Sequence, residues 1–262
     1  LIKVRYKENT ANRLLQYSMG RILAEHLGFA FKAKPIDGFD LQTELDGTVG
    51  DGQKLVLDSS LGLPEYIDLR TVEALVKAMP QSPTIVLDSF FQHARNYLGH
   101  VEKMKRWIPD ASVPLSYDMT MAETWYSEVQ DPEVTCVHVR LGDYERLGLV
   151  VDIAYYWWAL TFRPAKRILV FTDSPEHAYL DGLSRVGAVT VVDAPWQVAF
   201  NAMRRARKLV IANSTFSWLA ALLGSAETVS MPWNWSTNWS DNEGADLRVT
   251  DGAWAVLRRQ ES

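Results

Sequence analysis

The 262-residue sequence holds one cysteine, Cys136, so no disulfide can form within the chain. That fits a reducing compartment. Cys136 sits in the apolar run Val134-Thr135-Cys136-Val137, where a buried structural thiol is the expected state. No stretch of about 18 apolar residues is present, which argues against a membrane-spanning helix. No charged-then-apolar leader opens the sequence, although an opening on Leu1 gives that absence little weight. The Asn-x-Ser/Thr triplets at Asn213, Asn234 and Asn238 mean little without a leader. A cytoplasmic location is the expectation. Positive charge is not in excess either. The net charge of −5 offers no general attraction to nucleic acid, and none is expected as a partner. The Walker phosphate loop, GxGxxG and HExxH are all missing. So is any Asp-x-Asp triplet of the kind that holds a divalent metal in many sugar transferases.

What is present is an ordinary globular composition, 47% hydrophobic and 23% charged, on a chain long enough for one large domain or two smaller ones. Short beta-branched runs alternate with helical patterns, as in α/β proteins with parallel sheets. Strands are predicted at Leu1–Tyr6, Lys54–Leu57, Thr84–Leu87, Val134–Val139, Arg167–Phe171, Val189–Val192, Leu209–Ala212 and Thr228–Met231. Helices are predicted at Asn12–Leu27, Leu69–Met79, Ala94–Trp107, Ile153–Phe162, Pro175–Val186, Trp196–Arg207 and Thr215–Leu223. Asp37–Gly52 is rich in glycine and acid and reads as loop, and Pro109–Pro114 reads as a linker. Two successive nucleotide-binding-like halves account for the pattern, and ligands in such folds sit at the carboxyl ends of the strands.

Three strand ends carry chemistry. After Val134–Val139 comes Arg140-Leu141-Gly142-Asp143-Tyr144, preceded by His138. An arginine there can aim a permanently charged fork at a diphosphate, and Gly142 lets the backbone come close to a ligand. An Arg–Asp surface pair beside a plain turn is the equal alternative. After Phe171 comes Thr172-Asp173-Ser174-Pro175, where Asp173 either accepts from a guanine or ribose edge or caps a helix starting at Pro175, the commoner job. After Ala212 comes Asn213-Ser214-Thr215-Phe216-Ser217, a helix start suited to phosphate or simply an N-cap. Taken together, a cation, a helix N-terminus and polar side chains at neighbouring strand tips describe a nucleotide diphosphate pocket.

At these residues the sequence resembles the alpha-1,2-fucosyltransferases and, more distantly, the alpha-1,6- and protein O-fucosyltransferases. His138-Val139-Arg140-Leu141-Gly142-Asp143-Tyr144 matches the family's His-x-Arg-x-Gly-Asp-Tyr element. Tyr155-Tyr156 with Ala159, Phe171–Glu176, Asn213–Ala221 and Asn12–Tyr17 with Gly20-Arg21 follow its other elements in order. The resemblance implies a GT-B-like architecture: α/β, two Rossmann-like domains with parallel sheets facing across a cleft. Residues 1–115 would form the acceptor-side domain. Residues 116–262 would bind the nucleotide sugar, with the last segment packing back on the first domain. It further implies an inverting, metal-independent glycosyltransferase with GDP-fucose as donor, a glycan as acceptor and no cofactor. By analogy Arg140 contacts the beta-phosphate. Gly142 lets the backbone approach, and Ser214, Thr215 and Phe216 line the diphosphate and ribose. His138 and Asp173 lie near the guanosine, and Asn12 faces the donor from the first domain. From its place after the first strand, Glu8 is the leading base for the acceptor proton, with Asp143 behind it, although an exposed Glu8 with no role is the commoner alternative.

There are departures from the family. Lys7-Glu8-Asn9-Thr10-Ala11 replaces a glycine-rich loop, Ser174 replaces an aspartate, and Leu219 replaces a tryptophan. The same class with another nucleotide sugar, and a non-catalytic nucleotide- or carbohydrate-binding module, stay open as alternatives. Trp233-Asn234-Trp235 with Trp239 reads as an acceptor wall or as packing, and Trp157-Trp158 as packing. The basic run Arg204-Arg205-Ala206-Arg207-Lys208 reads as a solvated helix end, or as a surface for an anionic acceptor or a peripheral membrane contact.

Overall fold

The computed structural model describes residues 1–50, 52–58, 65–162, 166–233, 245–250 and 252–257. They divide into two compact units, each built on its own sheet. The division falls at Pro109, and residues 245–247 return to the first unit. There His93 bridges Asp246, and Ala94 N–H donates to the Asp246 carbonyl.

The first unit runs β1 (Ile2–Val4), α1 (Thr10–Leu27), β2 (Phe31–Lys32), β3 (Glu44–Leu45), β4 (Lys54–Leu57), α2 (Leu69–Ala78), β5 (Thr84–Leu87) and α3 (Val101–Trp107). The sheet order is β3-β2-β1-β5-β4, parallel throughout except for the β2–β3 pair. Asn9 caps α1 by accepting from the Asn12 N–H, and Gly28 closes the helix in the left-handed conformation at φ 67°. From Ala11 to Ala24 every residue of α1 but Arg13 is buried. Gly20 explains how it lies so close to the sheet: a Cβ there would stand 2.7 Å from Phe31 Cε2 and 2.8 Å from Val4 Cγ2. Strand β3 lies inside the stretch expected to be loop. The helix expected at Ala94–Trp107 is broken into two short 3-10 turns, at Ala94–Asn96 and Leu98–His100, ahead of α3.

The second unit runs α4 (Met119–Glu128), β6 (Val134–Val139), α5 (Gly142–Leu147), α6 (Ile153–Phe162), β7 (Arg167–Thr172), β8 (Ala188–Val192), α7 (Trp196–Arg205), β9 (Lys208–Val210), α8 (Thr215–Leu223), β10 (Thr228–Pro232) and β11 (Trp254–Leu257). Its six strands are all parallel, in the order β11-β10-β9-β6-β7-β8. Every residue of β6 is buried, as a strand covered on both faces requires. Cys136 is among them, and burial pushes its thiol pKa up, which leaves an inert structural residue. Tyr155 on α6 ties the sheet to that helix, with its hydroxyl 2.8 Å from both the Ile211 and Ser230 carbonyls. Asn201 on α7 holds Ala111 by two 2.8 Å hydrogen bonds, so the stretch read as linker is fastened to this unit.

The basic run proves committed within its own unit. Arg204 and Arg205 pair with Asp110, and Arg207 pairs with Glu227. Of the tryptophans, Trp157 donates from Nε1 to the Gly182 carbonyl, while Trp158 is exposed. Residues Asn234, Trp235, Asn238 and Trp239 lie outside the described residues. Among the described residues no helix is long and apolar enough to cross a membrane.

Gly20→Ala poses two opposed effects. Helix propensity favours alanine by about 1 kcal/mol, while overpacking against buried Phe31 and half-buried Val4 costs roughly 1–3 kcal/mol. Net destabilisation is expected, measured as a lowered midpoint in urea, and an unchanged or raised midpoint would contradict the close packing of α1.

Candidate functional site

In the second sheet the chain runs outward from β6 through β7 to β8, then returns to β9 on the other side and continues to β11. The strand order reverses between β6 and β9, so the loops leaving those two strands diverge. Open α/β sheets take ligands in that crevice. Leaving β6 are Arg140, Leu141 and Gly142, and leaving β9 are Asn213, Ser214 and Thr215.

Register supplies the next detail. Val139 pairs with Thr172, so the residues that follow, Arg140 and Asp173, emerge side by side. Arg140 Nη1 lies 2.8 Å from Asp173 Oδ2, and Arg140 Nη2 lies 2.7 Å from Asp143 Oδ1. The other Asp173 oxygen accepts the Leu141 N–H at 2.9 Å. Capping is therefore not the work of Asp173: no helix starts at Pro175, and the 3-10 segment Ala178–Val186 begins after a turn and is capped by His177. Gly142 is a matter of space, since a Cβ would stand 2.5 Å from Asp173 Oδ2. The glycine opens α5, a short helix rather than the bare turn expected. That helix carries Tyr144, whose ring packs beneath the Arg140 guanidinium and whose hydroxyl donates to the Asn213 carbonyl at 3.2 Å. Burial pushes the Tyr144 phenol up to about 12, opposed by the Arg140 charge, so it stays neutral.

Across the reversal, α8 begins at Thr215 with Ser214 in the N-cap position, but the Ser214 side chain makes no capping hydrogen bond. The first-turn N–H groups of Thr215, Phe216 and Ser217 are left uncapped by a side chain, a favourable place for an anion. Phe216 packs on His138 at 5.6 Å and on Phe200 at 5.4 Å between ring centroids. His138 is 4% exposed, and its Nδ1 is buried without a hydrogen-bond partner. Burial, and secondarily the Arg140 charge, pull its pKa down to about 3. Thus His138, Arg140, Gly142, Asp143, Asp173, Ser214, Thr215 and Phe216 gather at one end of one sheet.

Asn12 and Glu8 belong to the first unit. Asn12 is 4% exposed, and its Oδ1 accepts from Gln92 Nε2 at 2.9 Å. Glu8 has an exposed side chain and a left-handed backbone at φ 59°, with Arg13 Nε donating to its carbonyl at 2.9 Å. The residue that takes the glycine-rich loop's place thus adopts a glycine-like conformation. Tyr144 and Gln92 are the contacts that sequence reasoning did not single out for a role. The only signal for Tyr144 was its place in the matched motif, and Gln92 had none. Among the described residues no three His, Cys, Asp or Glu side chains gather as metal ligands do.

No family model matches the chain, and no curated protein matches it in sequence. Solved structures do match it in fold. The NodZ alpha-1,6-fucosyltransferase soaked with GDP-fucose aligns with a TM-score of 0.50 at 15% identity, over 87% of this chain and 93% of that one. Arabidopsis thaliana FUT1, a mutant in complex with GDP, gives 0.55 at 12% identity, over 90% and 72%. POFUT1 in complex with GDP-fucose gives 0.53 at 11% identity, over 88% and 97%. The fold is accordingly the GT-B fold of fucosyltransferases, as the motifs led us to expect.

The depressed His138 pKa has a measurable consequence. The unfolded chain takes up a proton near the ordinary value of 6.5, while native His138 refuses it down to about 3. Its contribution is therefore complete above about pH 6.5 and is lost as pH falls through that window. In urea titrations at pH 7 and pH 4.5, His138→Leu should lose less stability on acidification than the parent chain, by roughly 1–3 kcal/mol. Equal losses would show that His138 is not held neutral.

Proposed function

We propose that the protein is a glycosyltransferase that moves fucose from GDP-fucose to a hydroxyl of a glycan or glycoconjugate, with inversion at the anomeric carbon and without a metal ion. The observation that carries this reading is the cation at the tip of β6 beside the uncapped start of α8. It stands in a fold shared with structures solved with GDP or GDP-fucose. A cytoplasmic location belongs to the same proposal and rests on the single buried cysteine.

In this reading Arg140 and the first-turn N–H groups of α8 bind the diphosphate. Ser214 and Thr215 add hydroxyl donors, Phe216 and His138 form an apolar and neutral wall for the nucleoside, and Asp173 accepts from the base or ribose. The two carboxylates on Arg140 then have unequal roles. Asp173 is also fixed by the Leu141 N–H, and its side chain is 25% exposed against 46% for Asp143. An exposed ion pair is held by about 1 kcal/mol or less, so Asp143 is the arm that yields to phosphate. The reaction is a single displacement. The acceptor oxygen bonds to the anomeric carbon as the bond to the beta-phosphate oxygen breaks, and the charge on departing GDP falls on Arg140 and the α8 dipole. Asn12 donates to the nucleotide sugar, and Glu8 takes the acceptor proton.

Calorimetric titration with GDP, GDP-fucose, GDP-mannose and UDP-glucose, with and without magnesium, tests the donor. GDP and GDP-fucose are expected to bind without metal and to lose about tenfold to hundredfold in affinity in Arg140→Ala. If no guanine nucleotide binds, the motif matches record ancestry alone. The base is tested separately: Glu8→Gln should lower turnover of GDP-fucose with an accepting glycan about a hundredfold or more while leaving GDP affinity unchanged. Full turnover in that variant removes Glu8 from the mechanism.

A further inference from the structure

The first sheet has a reversal of its own. The chain runs outward from β1 through β2 to β3, then returns through the edge strand β4 to β5, which lies against β1. Its reversal lies between β1 and β5, where open α/β sheets take ligands. Two side-chain amides meet at the carboxyl ends of those two strands. Gln92, after β5, donates from Nε2 to Oδ1 of Asn12, after β1, at 2.9 Å, and the two residues are 5% and 4% exposed. A neutral carboxamide can present either its oxygen or its nitrogen. Here the oxygen of Asn12 is taken. Its Nδ2 donates to no described residue and is not among the polar atoms sealed from solvent.

Gln92 can set that orientation because its own loop is fixed from beneath. The Glu65 carboxylate, 5% exposed, accepts the Gln92 N–H at 2.8 Å with one oxygen and the Ser89 hydroxyl at 2.7 Å with the other. The Gln92 carbonyl accepts the Asp246 N–H at 2.8 Å. Phe91, the preceding residue, is held in the left-handed region at φ 57°, unfavourable for a bulky side chain. Its carbonyl is pinned there by the Tyr97 hydroxyl at 2.8 Å, the Asn96 amide at 3.2 Å and the His93 N–H at 2.9 Å. A buried carboxylate is costly unless hydrogen bonds satisfy it, and these are spent on keeping one loop in one place.

We propose that Gln92 is a positioning residue: anchored through Glu65, it turns the Asn12 carboxamide so that Nδ2 is the group offered to an oxygen of the nucleotide sugar. The proposal rests on the reading of Asn12 as a donor contact given above. A merely structural Gln92 would act independently of Asn12, whereas a positioning Gln92 acts only through it.

The test is a double-mutant cycle read by calorimetric titration of GDP-fucose onto the full chain. Asn12→Ala and Gln92→Met should each weaken binding about tenfold, and the double variant should be no weaker than either single one. If Gln92→Met binds like the parent while Asn12→Ala is weakened, the proposal falls and the donor reading stands. Multiplying effects, about a hundredfold in the double variant, overturn it in the same way. If Asn12→Ala keeps full affinity, the donor reading of Asn12 fails and takes the proposal with it. Should Gln92→Met fail to fold, Gln92→Asn keeps the amide but withdraws it by one methylene and should show the same weakening. Full affinity there also overturns the proposal.

Discussion

The register of two parallel strands, with Val139 of β6 opposite Thr172 of β7, fixes where the charge of Arg140 can go. One residue further along, arginine and aspartate leave the sheet as neighbours, and the rest of the candidate site is arranged around that pair. Asp173 can reach Arg140 only by turning across the β6 exit, which brings its second oxygen to the Leu141 N–H and removes the room for any side chain at position 142. The chain then turns immediately into α5, which brings Tyr144 beneath the guanidinium and its hydroxyl to the loop leaving β9. A slip of one residue would exchange the two faces of a strand that is buried throughout, so the register is not free to drift.

Both sheets reverse their strand order, and each places polar residues at the reversal, but the chemistry differs. At the second sheet the groups are charged or dipolar: a guanidinium, two carboxylates and a helix start without a side-chain cap. At the first sheet the two groups that meet are neutral amides, and the charge of Glu65 is buried beneath them, spent on backbone and hydroxyl donors. A charged site suits a diphosphate, whose affinity comes from electrostatics. Amides suit recognition of uncharged oxygens, where direction matters more than field. The two reversals thus offer different chemistry, one electrostatic and one directional.

How legible was this in the sequence? The fold class was legible because the apolar runs of β6, β7 and α8 leave few alternatives, and because strand-end motifs came in a known order. Asp173 was misread locally. Ser174-Pro175 imitates a helix start, yet the chain makes a turn there, and the carboxylate is claimed by an arginine 33 positions earlier in the sequence. Helix α5 and strands β2 and β3 are too short to show a period. Glu65 and Gln92 carry no pattern at all. They are 27 residues apart and meet through a backbone N–H, a contact to which side-chain identity at position 92 is indifferent. The left-handed backbones of Glu8 and Phe91 are equally silent, since neither is the glycine that would announce one.

The charge of the second site has one more implication. Arg140 brings one positive charge, and Asp143 and Asp173 bring two negative ones, while His138 and Tyr144 are both held neutral by burial. The cluster alone would repel a diphosphate. In the proposed reading it becomes attractive once Asp143 leaves the guanidinium, with the partial positive charge at the start of α8 beside it. Asp143 is the carboxylate that can leave, because it is the more exposed and has no second hydrogen bond of the kind that fixes Asp173. Arg140 is then released on one side and still oriented on the other. A cation wholly free of partners would be mobile and would lose entropy on binding. One held by a single fixed carboxylate meets the ligand already aimed.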